Sequence, residues 1–239
     1  MMDMSLKINP ILCRKGIMNN YAYLITDEEL TVSAIVDASE AEPIIWYCEQ
    51  NNIRPDYIFT THHHFDHVGG NLQLKEKYGL KIVGPDDGYN HIEGLDVAVS
   101  DNDEFILGAS KAKIISAPGH TRDHVLWYFE RDKALFTGDV LFNLCIGGLF
   151  EGTPEEMFCT LDKIKKLPDD VSFYPGHEYT EHGLSHLINN PDDSAQQYLK
   201  IAIERLQQGK SVAPICLGLE KKCNPYLKIE TLKNFSRLF

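Results

Sequence analysis

Four times in this 239-residue chain a short apolar run gives way to a small or sharply turning residue and then to a side chain able to bind a metal. Tyr57-Ile58-Phe59 leads to His62, and Ile114-Ile115 leads through Pro118-Gly119 to His120. Leu135-Phe136 leads through Gly138 to Asp139, and Phe173-Tyr174 leads through Pro175-Gly176 to His177. Apolar runs this short read as buried strands, and glycine lets the chain turn or approach another closely. The pattern confines the fold to one whose strand ends gather at one edge of a rigid sheet, where loops carry function. A single instance is the signature of an ordinary buried histidine or Gly-Asp turn. Four converging instances point to a metal site.

The first instance is the densest: Thr61-His62-His63-His64-Phe65-Asp66-His67, followed by Val68-Gly69-Gly70. Read as extended chain, His62, His64 and Asp66 share one side, whereas the neighbours Asp66 and His67 point apart. One tetrahedral ion fits that divergence poorly; two ions side by side fit it well. Imidazole nitrogen and carboxylate oxygen suit zinc, iron or manganese. A nonspecific histidine tract would not sit between an apolar strand and a glycine pair. His63 alternates away from the others and reads as a supporting residue, as does His124 near His120. His91, His182 and His186 read as surface or packing residues.

Bulk properties narrow the classes. Hydrophobic residues make up 43% of the chain and charged residues 24%, ordinary values for a globular protein with a real core. No apolar run approaches the roughly 18 residues of a membrane-spanning helix. The N-terminal residues lack the basic-then-apolar layout of a signal peptide, so a cytoplasmic protein without a membrane role is expected. The net charge of −12 argues against a nucleic-acid partner. It also requires a local basic patch for any anionic substrate. The six cysteines are scattered without a C-x-x-C pair and read as reduced, mostly buried thiols.

Apolar periodicity predicts strands at 6–12, 21–25, 32–36 and 57–60, then at 81–83, 97–99, 104–107, 112–116, 125–130, 134–137 and 171–174. Helices are expected at 41–51 and 70–78, the second ended by Gly79. Another starts at Thr153-Pro154-Glu155-Glu156, a capping box with proline in the first turn. From Tyr179 onward the rhythm is helical. The expected organisation is a layered α/β domain over 1–178 and a small helical domain over 179–239.

The stretch His62-x-His64-x-Asp66-His67 resembles the hallmark of the metallo-β-lactamase-fold hydrolases. That resemblance implies an αββα sandwich with a small C-terminal helical domain. It further implies one metal on His62, His64 and His120 and a second on Asp66, His67 and His177, with Asp139 bridging. Gly119-His120-Thr121, Gly138-Asp139-Val140-Leu141-Phe142, Phe150-Glu151-Gly152-Thr153 and Pro175-Gly176-His177-Glu178-Tyr179-Thr180 are similar to glyoxalase II, the hydroxyacylglutathione hydrolase family. So is Glu220-Lys221-Lys222-Cys223-Asn224-Pro225-Tyr226-Leu227-Lys228 in the tail.

The departures lie in the thiol-substrate pocket. Gly148 stands where that family usually has a basic residue, and Phe150 where many members have tyrosine. Tyr179 is retained. Of the family's C-terminal basic pair, Lys233 fills the first place and Ser236 the second, with Arg237 beside it.

The resemblance implies a monomeric thioester hydrolase that uses two divalent ions, zinc first with iron or manganese as alternatives. Its substrate would be a small S-2-hydroxyacylglutathione such as S-D-lactoylglutathione, in methylglyoxal detoxification. Asp66 would assist proton movement as well as bind metal. The competing readings are a mononuclear-iron persulfide dioxygenase and a lactonase-type hydrolase of the same fold.

Overall fold

Strand pairing begins with the most local contacts. Leu6–Cys13 (β1) and Asn20–Asp27 (β2) form an antiparallel hairpin in register from Leu6↔Asp27 to Cys13↔Asn20. Arg14 and Asn19 adopt left-handed φ values of 45° and 50° in its turn. Val32–Val36 (β3) adds antiparallel to β2. From there the chain returns to the sheet through helices: Ala41–Gln50 (α1) precedes Tyr57–Phe59 (β4), and the one-turn Phe65–Val68 (α2) and Asn71–Tyr78 (α3) precede Lys81–Pro85 (β5). Val97–Val99 (β6) completes a sheet ordered β1-β2-β3-β4-β5-β6, parallel from β3 to β6. Gly79 closes α3 at φ 68°, the left-handed cap its sequence predicts.

The computed structural model describes residues 6–85, 92–189 and 191–239; His91 lies outside them. Contacts divide the chain into two units. The first holds Met1–Ser116 and Asp123–Phe136, the second Ala117–Arg122 and Thr137–Phe239.

In the first unit, α1 and α3 bury Ile44, Cys48 and Leu74 against Ile11, Leu24, Ile35, Ile58 and Ile82 of the sheet. On the opposite face lie Glu104–Leu107 (β7), Ser110–Ser116 (β8), Val125–Phe129 (β9) and Ala134–Gly138 (β10), antiparallel in succession. Aromatic rings fill the space between these two layers. Phe59 stacks on Trp127 at 4.3 Å and 10°, Phe105 meets the edges of Tyr57 and Phe59, and Tyr23 packs on Phe136. Rings of this size supply much of the apolar burial that offsets chain entropy. The Trp127 indole donates to the Thr60 carbonyl at 3.1 Å, tying the chain just ahead of His62 to the second layer.

The second unit contains a short hairpin, Leu141–Phe142 (β11) with Cys145–Ile146 (β12), then Pro154–Lys165 (α4). Thr153 and Glu156 form the reciprocal capping box, worth about 1 kcal/mol. Ser172–Pro175 (β13) is followed by Thr180–Asn189 (α5) and Asp193–Gln207 (α6). Ile215–Cys216 (β14) pairs antiparallel with β13. Leu217–Cys223 (α7), Leu232–Phe235 (α8) and a 3-10 turn at Ser236–Leu238 end the chain.

Apolar periodicity misses β14 inside the otherwise helical tail, because a two-residue strand leaves no periodic signal. The β11–β12 hairpin escapes for the same reason. Of the six thiols, Cys13, Cys48 and Cys223 are buried, Cys145 is half-buried, and Cys159 and Cys216 are exposed; all are free. The expectation of thiols outside any disulfide holds, but only half of them are buried. Among the described residues no helix is long and apolar enough to cross a membrane.

Candidate metal-binding residues

In the first unit, β4 ends at Phe59 and delivers Thr60, Thr61 and His62, all fully buried. The extended reading of the histidine stretch holds as far as His64, whose ψ is 141°. Beyond it the chain turns helical over Phe65–Val68, with His67 N–H donating to the His64 carbonyl at 2.8 Å. The expectation that Asp66 and His67 point apart is corrected accordingly. Asp66 Oδ2 lies 3.6 Å from His67 Nε2, because one helical step rotates a side chain by far less than the half-turn of a strand. The His62 ring lies 4.7 Å from that of His64 and 4.2 Å from that of His67. Gly69 and Gly70 let this turn seat closely: a Cβ on Gly70 would lie 2.9 Å from the Ala38 carbonyl oxygen.

Two residues that sequence reading passes over orient these groups. Asp37, buried after β3, accepts from Thr61 N–H at 2.8 Å, from the Thr61 hydroxyl at 2.8 Å and from His67 Nδ1 at 2.9 Å. The Thr61 oxygen, its proton committed to Asp37, accepts from His62 Nδ1 at 3.0 Å. Both imidazoles thus carry their proton on Nδ1 and keep Nε2 as the lone-pair nitrogen. Asn20 Nδ2 donates to the Asp66 carboxylate at 2.9 Å and to its carbonyl at 3.0 Å. Asp37 carries the signal already used elsewhere, a polar residue directly after a buried strand, but no glycine marks it. His63 bonds both carboxylate oxygens of Asp123 at 3.0 Å, and the His124 ring stacks 4.8 Å from His62.

In the second unit, three further donors converge. His177 Nε2 and His120 Nε2 lie 3.2 Å and 3.5 Å from the same oxygen, Asp139 Oδ2. His120 Nδ1 donates to the Gly148 carbonyl at 2.8 Å, which again leaves Nε2 as a lone pair. A lone pair facing a carboxylate oxygen is repulsive unless a cation stands between them. His67 Nε2 facing Asp66 in the first unit poses the same demand. Each unit therefore presents imidazole and carboxylate donors whose chemistry fits a divalent ion. The ends of β10 and β13 are tied where these donors emerge, with Gly176 N–H donating to the Gly138 carbonyl at 2.8 Å.

The residues expected at the thiol-substrate pocket all lie in this unit. Gly148 supplies the carbonyl that orients His120. Phe150 is 73% exposed and presents its ring edge-on to His120 at 5.1 Å. Tyr179 stacks on His177 at 4.8 Å and 9°. Lys233, Ser236 and Arg237 are exposed around α8, which Phe235 anchors on Phe158 of α4 at 5.6 Å. His182 packs its ring against Tyr179 at 5.6 Å.

Comparison with known proteins agrees with this donor chemistry. The profile of the Metallo-beta-lactamase superfamily matches residues 18–177. A hydroxyacylglutathione hydrolase of Pelagibacter ubique is 41% identical over 224 residues, covering 93% of this chain and 94% of its own. One from Brucella ovis is 42% identical over 229 residues, covering 95% and 88%. Among solved structures, ETHE1 from Myxococcus xanthus superposes with a TM-score of 0.74 at 21% identity, covering 97% of this chain and 89% of that one. That last likeness bears on the fold alone, which is the expected metallo-β-lactamase fold. By its sequence and fold, the chain belongs to the hydroxyacylglutathione hydrolase family of the metallo-β-lactamase superfamily.

Proposed function

We propose that this chain hydrolyses the thioester of S-2-hydroxyacylglutathione, S-D-lactoylglutathione above all, to a 2-hydroxy acid and free glutathione. One observation carries the chemistry: His120 directs an Nε2 lone pair at one oxygen of Asp139, 3.5 Å away, and His177 Nε2 converges on the same oxygen at 3.2 Å. The substrate class comes from the hydroxyacylglutathione hydrolases that match over more than nine-tenths of this chain. In this reading His62, His64 and His120 hold one divalent ion, and Asp66, His67 and His177 hold the second. Asp139 is shared, and zinc is the first candidate metal, ahead of iron or manganese.

When bound, the ions supply a water of lowered pKa and polarise the thioester carbonyl. The chain's own residues do the rest. Asp37 fixes His67 and, through Thr61, His62, so that their donor atoms meet the ions without reorganisation. Asp66, held by Asn20, assists in moving the proton of the attacking water. A C–O bond forms and the C–S bond breaks; the thiolate, of pKa about 8.5, leaves without a dedicated acid. Tyr179 and Phe150 offer the thiol carrier an aromatic surface, and Lys233 and Arg237 offer its carboxylates positive charge, with Gly148 and Ser236 marking places where polar contacts are reduced. Residues 179–239 serve as the substrate-binding domain of a cytoplasmic, monomeric enzyme in methylglyoxal detoxification.

Purified protein given S-D-lactoylglutathione in a sealed oxygen-electrode cell tests this reading. The expected result is one thiol released per thioester cleaved and no oxygen uptake. Oxygen consumption with a glutathione persulfide, and no thiol release, would replace the hydrolase with an oxygenase of the same fold.

A further inference from the structure

The hairpin formed by β11 and β12, with the glycines that follow it, lies beside Asp139, His177 and His120 of the second unit. It starts two residues after Asp139, and Phe142 within it packs edge-on against His177 at 5.7 Å. Gly147 follows directly on β12, and a Cβ there would lie 1.7 Å from the Asp139 carbonyl oxygen and 3.0 Å from His120 Nδ1. The next residue, Gly148, gives His120 its carbonyl. Yet each strand is only two residues long, and so short a ladder does not hold its own geometry. Something else must fix it.

That fixing comes from the C-terminal helices. Glu220 on α7 is 0% exposed, and its Oε1 accepts from the Leu144 backbone N–H at 2.7 Å at the hairpin tip. Leu144 sits there at a left-handed φ of 65°, a conformation costly for leucine that a specific contact must hold. Asn224 Nδ2, also from the end of α7, donates to Glu220 Oε1 at 2.8 Å and to the Cys145 carbonyl at 3.2 Å. Tyr198 on α6 donates its hydroxyl to Glu220 Oε2 at 2.7 Å. From the other side Gly183 on α5 meets Leu144 so closely that a Cβ would fall 2.2 Å from the Leu144 Cβ. A carboxyl group that accepts from three donors is held rigidly in place.

We infer that Glu220 is a positioning residue for the metal donors Asp139 and His120, acting through the hairpin whose tip it grips. The helical tail would then set the geometry of metal binding as well as that of the thiol carrier. This rests on the reading that Asp139 and His120 hold metal.

The test uses the full chain and three variants, Glu220→Ala, Asn224→Ala and Tyr198→Phe, with Glu220→Gln as the conservative control. Zinc affinity is read by competition with a chromophoric chelator, and kcat and KM are read with S-D-lactoylglutathione. Glu220→Ala is expected to weaken zinc binding by about tenfold or more and to lower kcat with KM nearly unchanged. Glu220→Gln keeps an acceptor for Leu144 N–H and restores both. Tyr198→Phe lowers the melting temperature but leaves zinc affinity as it was. If Glu220→Ala does not fold, Asn224→Ala, with the Cys145 tether cut, decides by the same readout and is expected to bind zinc several-fold more weakly. Wild-type zinc affinity in a folded Glu220→Ala or, where that does not fold, in Asn224→Ala, or losses that merely follow melting temperature across all the variants, would overturn the inference. A wild-type chain that binds no zinc would instead overturn the proposed metal site; one that binds zinc without releasing thiol would overturn only the substrate reading.

Discussion

Asp37 and His67, thirty positions apart in sequence, meet through a 2.9 Å hydrogen bond between two side chains that are both almost wholly buried. The same carboxylate holds the backbone and hydroxyl of Thr61, so a residue outside the proposed metal-ligand set orients two of its rings. Replacing Asp37 by alanine strands three buried donors. We expect a loss of about 3–5 kcal/mol of stability, the scale of removing one partner from a buried charged pair. Metal affinity should fall about 10- to 100-fold. Asn is the informative control, because it tolerates the φ of 55° found at position 37 and isolates the loss of charge. Chelator competition and urea denaturation measure the two effects.

Gly147→Ala should be severe. Its Cβ would sit 1.7 Å from the Asp139 carbonyl oxygen, a backbone atom that cannot swing aside. Overpacking of this kind costs about 1–3 kcal/mol. Because the clash falls on the segment that carries Asp139, zinc affinity should fall together with the melting temperature. An alanine variant with unchanged zinc affinity would show that the hairpin end is free to shift.

Burial pushes the Glu220 carboxyl from its ordinary 4.5 up to about 7, against the lowering effect of the bonds from Tyr198, Asn224 and Leu144. A carboxyl raised on folding keeps its proton in the native state after the unfolded chain has released it. Stability therefore falls as pH rises from 4.5 towards 7 and levels off above. Measured by denaturant titration, wild type should lose stability relative to Glu220→Gln across that window. A difference that stays flat from pH 4.5 to 8 would contradict the assignment.

Gly148→Lys restores the basic residue that the family usually carries. The glycine is not forced by packing, since a Cβ there would meet only Phe150 Cε2 at an ordinary 3.5 Å. The side chain should lower KM for a glutathione thioester about two- to fivefold with kcat unchanged, the scale of an exposed charge pair. The gain should fade with added salt.

The strands of three residues or more and the capping box at Thr153 were legible because each is encoded by neighbours: an apolar run with its turn residues, or a cap with its glutamate three positions on. What escaped is encoded at long range. Asp37 finds His67, Asn20 finds Asp66 and Glu220 finds Leu144 across 30, 46 and 76 positions, and nothing local marks them. The turn at Phe65–Val68 escaped for a different reason. An alternating His-x-His-x-Asp string has the period of a strand, but the chain must turn there for the glycine pair to seat against Ala38, where Gly70 N–H donates at 2.7 Å.

Metal content set against thiol release tests the central claim most directly. The purified chain is analysed for zinc, iron and manganese while a chelator withdraws them stepwise and cleavage of S-D-lactoylglutathione is followed. Two divalent ions per chain at full activity are predicted, with activity falling to background as they leave and returning when zinc is restored. A metal-free chain that still releases thiol, or a fully loaded chain that releases none, would contradict it.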